Sequence, residues 1–214
     1  MSKAIPHIAI EFPDYFPDDF KNLLTEGIEN EKLDLIIYRK EPTVWAASEW
    51  IVPGIIAVYI LKPYFEAFLR EAGKDHYSLL KKKLNQILEK TKDMDVKTVT
   101  SSGTTEKLNE DNTQSKAVSI FLQTRNGIMI KLLYDNDLDL NTWQKSTESI
   151  LEMIDDHYNK NSNNELTEYL KNLDGARVKT IYAIIDPKSK NWTLISSLSK
   201  YKLEKKIKPY ETKN

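Results

Sequence analysis

The 214-residue sequence contains no cysteine, only three histidines and only six glycines. Without cysteine there can be no disulfides, thiol nucleophiles, or zinc and iron–sulfur sites with cysteine ligands. So few glycines disfavour an enzyme that wraps phosphates with backbone N–H groups, and neither a GxxxxGK[ST] nor a GxGxxG loop is present. The GxSxG turn of a serine nucleophile is also missing. The common catalytic and nucleotide-binding motifs are therefore excluded.

Arginine is scarce as well. The 31 basic residues include only four arginines, which are Arg39, Arg70, Arg125 and Arg177. Because arginine is the preferred side chain for phosphates and guanine edges, this scarcity disfavours specific recognition of nucleic acid. The formal net charge is −1, so no overall field attracts nucleic acid or a membrane surface. The N-terminal residues MSKAIPHIAIEF do not resemble a secretory signal, and we expect a cytoplasmic protein.

Runs of alternating apolar residues predict strands. The clearest pair is AVSIFLQT and IMIKLLY around Arg125-Asn126-Gly127, because Asn-Gly can take positive φ at both central positions of a tight hairpin turn. RVKTIYAIID and NWTLISSL predict a second hairpin around Pro187, and further strands are expected at 5–12, 33–40 and 95–101. Few connections contain a crossover helix, so we expect a mainly antiparallel sheet of six or seven strands.

Apolar residues at helical spacing predict about five helices that cover this sheet in an α+β fold. They are expected near residues 18–30, 54–72, 75–90, 142–158 and 165–173. The second and third, joined at Gly73, predict an αα-hairpin. We expect a single domain over residues 1–214, with a weak boundary in the polar loop 101–116, which could fold on binding.

The most hydrophobic part of the chain runs from Trp45 to Leu69. A membrane-spanning helix needs about 20 predominantly apolar residues. This run is interrupted by Pro53, Gly54, Lys62, Pro63 and Glu66. A core or interface helix is therefore favoured over membrane contact. Because a helix that is apolar all round cannot lie on the surface of a lone monomer, the segment predicts a partner or oligomer interface. The expected partner-binding residues are Trp45, Trp50, Ile55, Tyr59, Tyr64 and Phe68.

Four oxygen-bearing residues alternate as calcium ligands do, and these are Asp135, Asp137, Asp139 and Asn141. An EF-hand loop needs glycine at its sixth position and glutamate at its twelfth, where this sequence has Leu140 and Ser146. A strand that leads into a capped helix explains the pattern better, and Asn141 with Gln144 resembles a capping box. We predict no metal site here.

No HExxH or HxH motif is present, so a histidine metal site would have to be assembled from distant segments. A metal-dependent hydrolase built from dispersed acids and His76 or His157 is the alternative hypothesis. Its nuclease version would use Asp34, Arg39, Lys40 and Glu41.

The leading hypothesis is a non-enzymatic interaction or regulatory module that acts through protein–protein contacts and needs no cofactor. It is motivated by the missing catalytic motifs and by the apolar segment that ends at Leu69. A protein partner or self-association is favoured over nucleic acid. A further alternative is peripheral membrane binding through residues 50–69.

Overall fold

The computed structural model of the chain describes residues 5–28, 31–41, 54–94, 96, 113–158, 164–173 and 178–197. The strands in this part are β1 (Ile8–Pro13), β2 (Leu35–Lys40), β3 (Ile56–Ile60), β4 (Val118–Gln123), β5 (Met129–Leu133), β6 (Thr180–Ile185) and β7 (Trp192–Ile195). The helices are α1 (Asp18–Thr25), α2 (Leu69–Lys92), α3 (Leu140–Tyr158) and α4 (Glu165–Asn172), and a π-helical segment (Tyr64–Phe68) leads directly into α2. These elements confirm the α+β class.

All seven strands form one sheet in the order β2-β1-β3-β4-β5-β6-β7. The pairs β1–β2, β3–β4 and β5–β6 are parallel. The pairs β1–β3, β4–β5 and β6–β7 are antiparallel. The sheet is therefore mixed, and the prediction of a mainly antiparallel sheet was wrong.

One part of the error comes from residues 54–60, which were assigned to a helix. The other part is that the predicted helices between β1 and β2 and between β5 and β6 were not recognised as crossovers between parallel strands. Residues Ile56–Ile60 instead form β3, and the helical chain that follows is a crossover from β3 to its parallel neighbour β4. A short apolar run does not distinguish a buried strand from a buried helix, because neither needs a polar face. With β3 missing from the prediction, this crossover was missed too.

Gly54 lets the chain enter β3 close to β4. A Cβ atom on Gly54 would lie 2.7 Å from the carbonyl carbon of Val118, closer than van der Waals contact allows. Its backbone N–H donates to Ser119 Oγ at 2.7 Å. Glycine is therefore needed here because two backbones approach each other closely.

The predicted αα-hairpin is unconfirmed. The helical chain runs from Tyr64 to Lys92, with non-helical backbone angles only at Gly73 (φ 74°, ψ −172°). Glycine is favoured at this positive φ because it lacks a Cβ. The predicted strand at 95–101 and most of the polar loop 101–116 lie outside the described residues.

The helices pack on one face of the sheet, where they form the main core. Strands contribute Ile10, Val58, Ile120, Leu132 and Ala183, and the helices contribute Leu84, Ile87, Trp143, Ile150 and Leu166. The N-terminus of α3 is capped by Asp139, whose carboxylate accepts from the Thr142 backbone N–H at 2.8 Å. This cap replaces the predicted capping box of Asn141 and Gln144. Among the described residues, no helix combines the length and apolar character needed to cross a bilayer.

Candidate functional site

The predicted partner-binding residues fall in three different environments. Trp45 and Trp50 lie outside the described residues. Ile55 and Tyr59 are half-buried. Tyr64 and Phe68 are fully buried in the main core of their own chain. Contact of these residues with a partner stays a prediction, but Tyr64 and Phe68 present no exposed surface in this structure.

One of the two histidines proposed for a hydrolase site, His76, is buried and bonded within its own chain. Its Nε2 lies 3.0 Å from the Ile28 carbonyl oxygen, and its Nδ1 lies 3.2 Å from the Tyr64 hydroxyl. If Nε2 carries the proton, it donates to the carbonyl while Nδ1 accepts from the hydroxyl, so both nitrogens are satisfied. The rings of His76 and Phe68 are nearly perpendicular, with 4.6 Å between their centroids. His76 therefore joins the chain after α1 to α2.

The other two histidines also bond to the chain itself. His7 Nδ1 accepts from the Asp34 backbone N–H at 2.8 Å. His157 Nδ1 lies 3.0 Å from Thr167 Oγ1. Within the described part of the chain, no three acidic, histidine or cysteine side chains lie close enough together to hold a metal ion.

A cavity of about 170 Å³ lies at the end of the sheet where β3 and β4 finish. It is lined by Glu66, Arg70, Arg125 and Tyr158. The two strands are parallel neighbours, so their carboxyl ends lie side by side next to the cavity. The chain after β3 leads to Glu66 and Arg70, whereas the chain after β4 leads to Arg125. The carboxyl ends of parallel strands are a common location for binding sites in sheets with crossover helices.

Arg125 is placed by the β4–β5 turn. The Thr124 N–H donates to the Ile128 carbonyl, and the Gly127 N–H donates to the Thr124 carbonyl, both at 2.9 Å. Gly127 has a φ of 85°, and Asn126 does not share this positive φ. The predicted hairpin is confirmed, but its turn has three residues with glycine in the left-handed position instead of the predicted tight Asn-Gly turn.

Tyr158, the last residue of α3, forms the wall of the cavity beside Arg125. Its hydroxyl donates to the Gln123 carbonyl at 2.7 Å, and its ring stacks on Phe65 with 5.0 Å between centroids. Burial raises the pKa of Tyr158, and Glu66 raises it further, whereas Arg125 lowers it. The hydroxyl therefore stays protonated and keeps α3 attached to the end of β4.

A second anchor connects the turn to α3 and α4. His157 Nε2 accepts from the Arg125 backbone N–H at 3.4 Å. On its other side, His157 Nδ1 contacts Thr167 Oγ1 in α4, and the Thr167 N–H donates to the Asn164 side chain that caps this helix. Burial lowers the pKa of His157, and the positive charge of Arg125 lowers it further. Neutral His157 is the form that accepts from a backbone N–H, so the pKa shift and the geometry agree.

The two arginines of the cavity differ from Arg39 in their partners. Arg39 forms an ion pair with Asp18 and lies over the Phe12 ring. Within the part of the chain that the structure describes, the guanidinium groups of Arg70 and Arg125 have neither a hydrogen-bond acceptor nor an ion-pair partner. Glu66, which shares the cavity, pairs with Lys62 at 3.4 Å. Two guanidiniums with free donors therefore line one small cavity.

The opposite face of the sheet has a buried lysine, Lys131, which is 3% exposed. Cross-strand neighbours Phe121 and Tyr182 flank it, and its Nζ lies 5.7 Å from the centre of the Phe121 ring. Burial lowers the pKa of Lys131 to about 8. Lys131 is buried, whereas Arg70 and Arg125 are exposed and accessible to a ligand. We therefore take the arginine cavity as the candidate site.

No protein-family model matches the chain, and no curated protein or solved structure matches it either.

Sequence reasoning missed this site. Arg70 and Arg125 were noted only as members of a small arginine set, and their separation along the chain gave no reason to pair them. The one signal in the sequence that could have indicated the site was the presence of arginine at these two positions, because nearly all other basic residues of the chain are lysines. Only the parallel pairing of β3 with β4 brings the two side chains together.

Proposed function

We propose that this chain is a non-enzymatic interaction module that accepts an anionic group of a protein partner in the cavity between Arg70 and Arg125. The observation that carries the proposal is the pair of guanidiniums without acceptors at one small cavity. Each guanidinium has five N–H donors in a planar fork that matches the oxygens of a carboxylate or phosphate.

The size of the cavity supports an anionic group at the end of a larger molecule. Its volume of about 170 Å³ is below the roughly 300–1,000 Å³ of pockets that enclose whole drug-sized ligands. An acidic side chain or a chain end could insert its charged group there, while the rest of the partner stays outside. This fits recognition of a protein surface better than enclosure of a cofactor.

The chemistry of the lining favours binding over catalysis. A guanidinium remains protonated in proteins, so Arg70 and Arg125 supply fixed charge. The raised pKa of Tyr158 and its bond to the Gln123 carbonyl make its hydroxyl a poor proton donor near neutral pH. These groups are suited to holding a negative charge in place.

The experiment is an NMR titration with acetate and with methyl phosphate at constant ionic strength, following the backbone amides of Arg125 and Gly127. We expect at least one anion to shift these signals in a saturable way. Arg70→Gln and Arg125→Gln should each weaken that binding by about tenfold, because a hydrogen bond to a charged group contributes about 1.5–3 kcal/mol.

Arg39→Gln is the matched control, because it removes the same charge from an arginine outside the cavity that already has a partner. It should leave the affinity within about twofold, since exposed charges far apart are largely screened. No saturable shift with either anion, or an equal loss in all three variants, would contradict the proposal.

Self-association is the version of the proposal in which a second copy supplies the anionic group. Light scattering after size exclusion tests it over a range of protein concentrations. A mass that rises with concentration in the wild type, and stays monomeric in Arg125→Gln, supports this version. A monomeric wild type at every concentration contradicts it and leaves a different protein as the partner.

A further inference from the structure

Strand β2 lies at one edge of the sheet, and within the described ranges no strand pairs with its outer side. The carbonyls of Asp34 and Lys40 accept from backbone N–H groups of β1 and of the residue after it. Because the backbone groups of successive strand residues point to opposite sides, the odd-numbered residues between them direct their N–H and C=O groups outward. These residues are Leu35, Ile37 and Arg39. The outer side of β2 is therefore a row of backbone donors and acceptors that a further strand can pair with.

The two edges of the sheet differ in how well they are protected. Edge strands are commonly short, or interrupted by proline or a bulge, which prevents pairing with other chains. β7 has only four residues. β2 has six residues in unbroken register with β1, contains no proline, and has charged side chains only at its last two positions. Its first three residues are half-buried and aliphatic, and Tyr38 after them is 44% exposed. β2 is therefore the edge suited to strand pairing.

We propose that β2 pairs in antiparallel orientation with β2 of a second copy of this chain, about a two-fold axis through Ile37. A two-fold axis is the commonest symmetry of protein dimers, and it requires a surface that is complementary to itself. The dimer does not use the arginine cavity, so the inference goes beyond the proposed function.

The backbone of β2 is complementary to itself in this register. The outward-directed residues face one another, with Ile37 opposite Ile37 of the second copy and Leu35 opposite Arg39 of the second copy. Each such pair of opposite residues exchanges two backbone hydrogen bonds. The outward donors and acceptors of both copies are therefore satisfied by each other.

The side chains are complementary as well. The odd-numbered aliphatic residues of β2 pack against the main core, so the even-numbered side chains lie on the other face of the sheet. On that face Asp34 is opposite Lys40 of the second copy, and Ile36 is opposite Tyr38. Opposite charges, and aromatic residues beside β-branched ones, are favourable cross-strand pairs. Lys40 also pairs with Glu11 of its own chain, but an ammonium has three donors and can bind both carboxylates.

Charge favours this register over its neighbours. The next registers that keep the outward backbone groups paired have their axes one residue to either side. An axis through Ile36 places Lys40 opposite Lys32, where like charges repel. An axis one residue beyond Ile37 separates Lys40 from Asp34 and places it opposite an isoleucine. Only the axis through Ile37 joins opposite charges at both ends of the paired strands.

The chain has no cysteine, so single-cysteine variants report this contact directly. Ile36→Cys and Tyr38→Cys are mixed, with a mass tag on one of them, and oxidised with glutathione disulfide. The two variants should form a mixed disulfide-linked dimer, because opposite residues of such a pair have Cα atoms about 4.5 Å apart, within the range of a disulfide. Each variant alone should form its dimer about tenfold more slowly, because identical residues are then offset by two positions along the strand.

Tyr15→Cys is the control for random collision, because Tyr15 is an exposed tyrosine outside β2. Mixed dimers that form no faster than dimers of Tyr15→Cys overturn the inference. Fastest dimer formation by Ile36→Cys alone, or by Tyr38→Cys alone, also overturns it, since the axis would then pass through one of those residues instead of Ile37.

Sedimentation equilibrium of the cysteine-free chain gives an independent measurement. Asp34→Asn should raise the dissociation constant of the dimer by about tenfold, because each dimer loses two cross-strand ion pairs. Asp137→Asn is the matched control, since it removes the same charge from an exposed residue after β5, and it should change the constant by less than about twofold. Arg125→Gln should leave the dimer intact, because Arg125 follows β4, three strands from β2. A wild type that stays monomeric up to millimolar concentration, or an equal loss in Asp34→Asn and Asp137→Asn, overturns the inference.

Discussion

Two neighbouring regions of the molecule differ in whether their polar side chains have hydrogen-bond partners. Beneath the sheet, the Tyr64 hydroxyl and both nitrogens of His76 have partners in the same chain. At the nearby cavity, Arg70 and Arg125 have donors and no acceptor among the described residues. Buried polar groups that are fully satisfied stabilise a fold, whereas unpaired charged donors at an open cavity are available to a ligand. Changes in the first region should therefore alter stability, and changes in the second should alter binding.

The largest effect on stability is expected from Tyr64→Ala. Tyr64 is fully buried and packs against the rings of Phe65 and Phe68. Removal of such a ring leaves a cavity in the core, and we expect the free energy of unfolding to fall by about 3–5 kcal/mol. Urea unfolding followed by circular dichroism measures this loss. A loss below about 1 kcal/mol would contradict the placement of Tyr64 in the core.

A smaller loss of about 2–3 kcal/mol is expected from His76→Ala, because the Tyr64 hydroxyl and the Ile28 carbonyl would lose their buried partner. Tyr64→Phe is the useful comparison, since it removes only one of the two hydrogen bonds and keeps the ring. Its cost should be about 1 kcal/mol. Equal costs for the two variants would show that the contact of His76 with Ile28 contributes nothing.

The pH dependence of stability should be smaller still and should involve His157, which bonds to the backbone of Arg125 at the cavity. Its pKa in the folded protein is lowered from 6.5, so the unfolded chain binds the proton more readily. This contribution is therefore fully present above about pH 6.5 and is lost as the pH falls through the folded pKa. Urea unfolding at pH 8, 6.5 and 5.5 should show a decrease for the wild type that is reduced in His157→Gln.

His7 is the other histidine with a pKa lowered by burial, so His7→Gln serves as the control for that experiment. Its stability should keep the part of the pH dependence that belongs to His157. An identical decrease in wild type and His157→Gln between pH 8 and 5.5 would mean that neutral His157 does not hold the turn.

The smallest effects on stability are expected from Arg70→Gln and Arg125→Gln. Both guanidiniums are exposed and form no bond within the described part of the chain, so each change should alter the free energy of unfolding by less than about 0.5 kcal/mol. Thermal unfolding without added ligand measures this. A loss comparable to that of His76→Ala would show that the arginines support the fold instead of a ligand.

Local patterns in the sequence predicted the elements that depend on local forces. The stripe of Trp143, Ile150 and Ile154 gave α3, and the spacing around Gly127 gave the hairpin, because helical periodicity and turn preferences are encoded within a few residues. The end of α1 was extended too far, since the helix stops at Thr25.

Pairing between distant strands was not predictable in the same way. Residues Ile56–Ile60 carry apolar side chains on both faces, so their sequence contains no period that marks a strand. The parallel contact of β3 with β4, the burial of Phe68 and the meeting of Arg70 with Arg125 all follow from that strand. This misassignment therefore hid one of the three crossovers and, with it, the candidate site.

The central claim is that Arg70 and Arg125 hold one anion together, and the side-chain Nε–Hε signals of arginine test it most directly. The chain has only four arginines, so the spectrum contains four such signals to assign. On titration with acetate we expect the signals of Arg70 and Arg125 to shift with the same dissociation constant, while that of Arg39 stays in place. Shifts of all the arginine signals in proportion to added salt, or different constants for Arg70 and Arg125, would contradict a shared site.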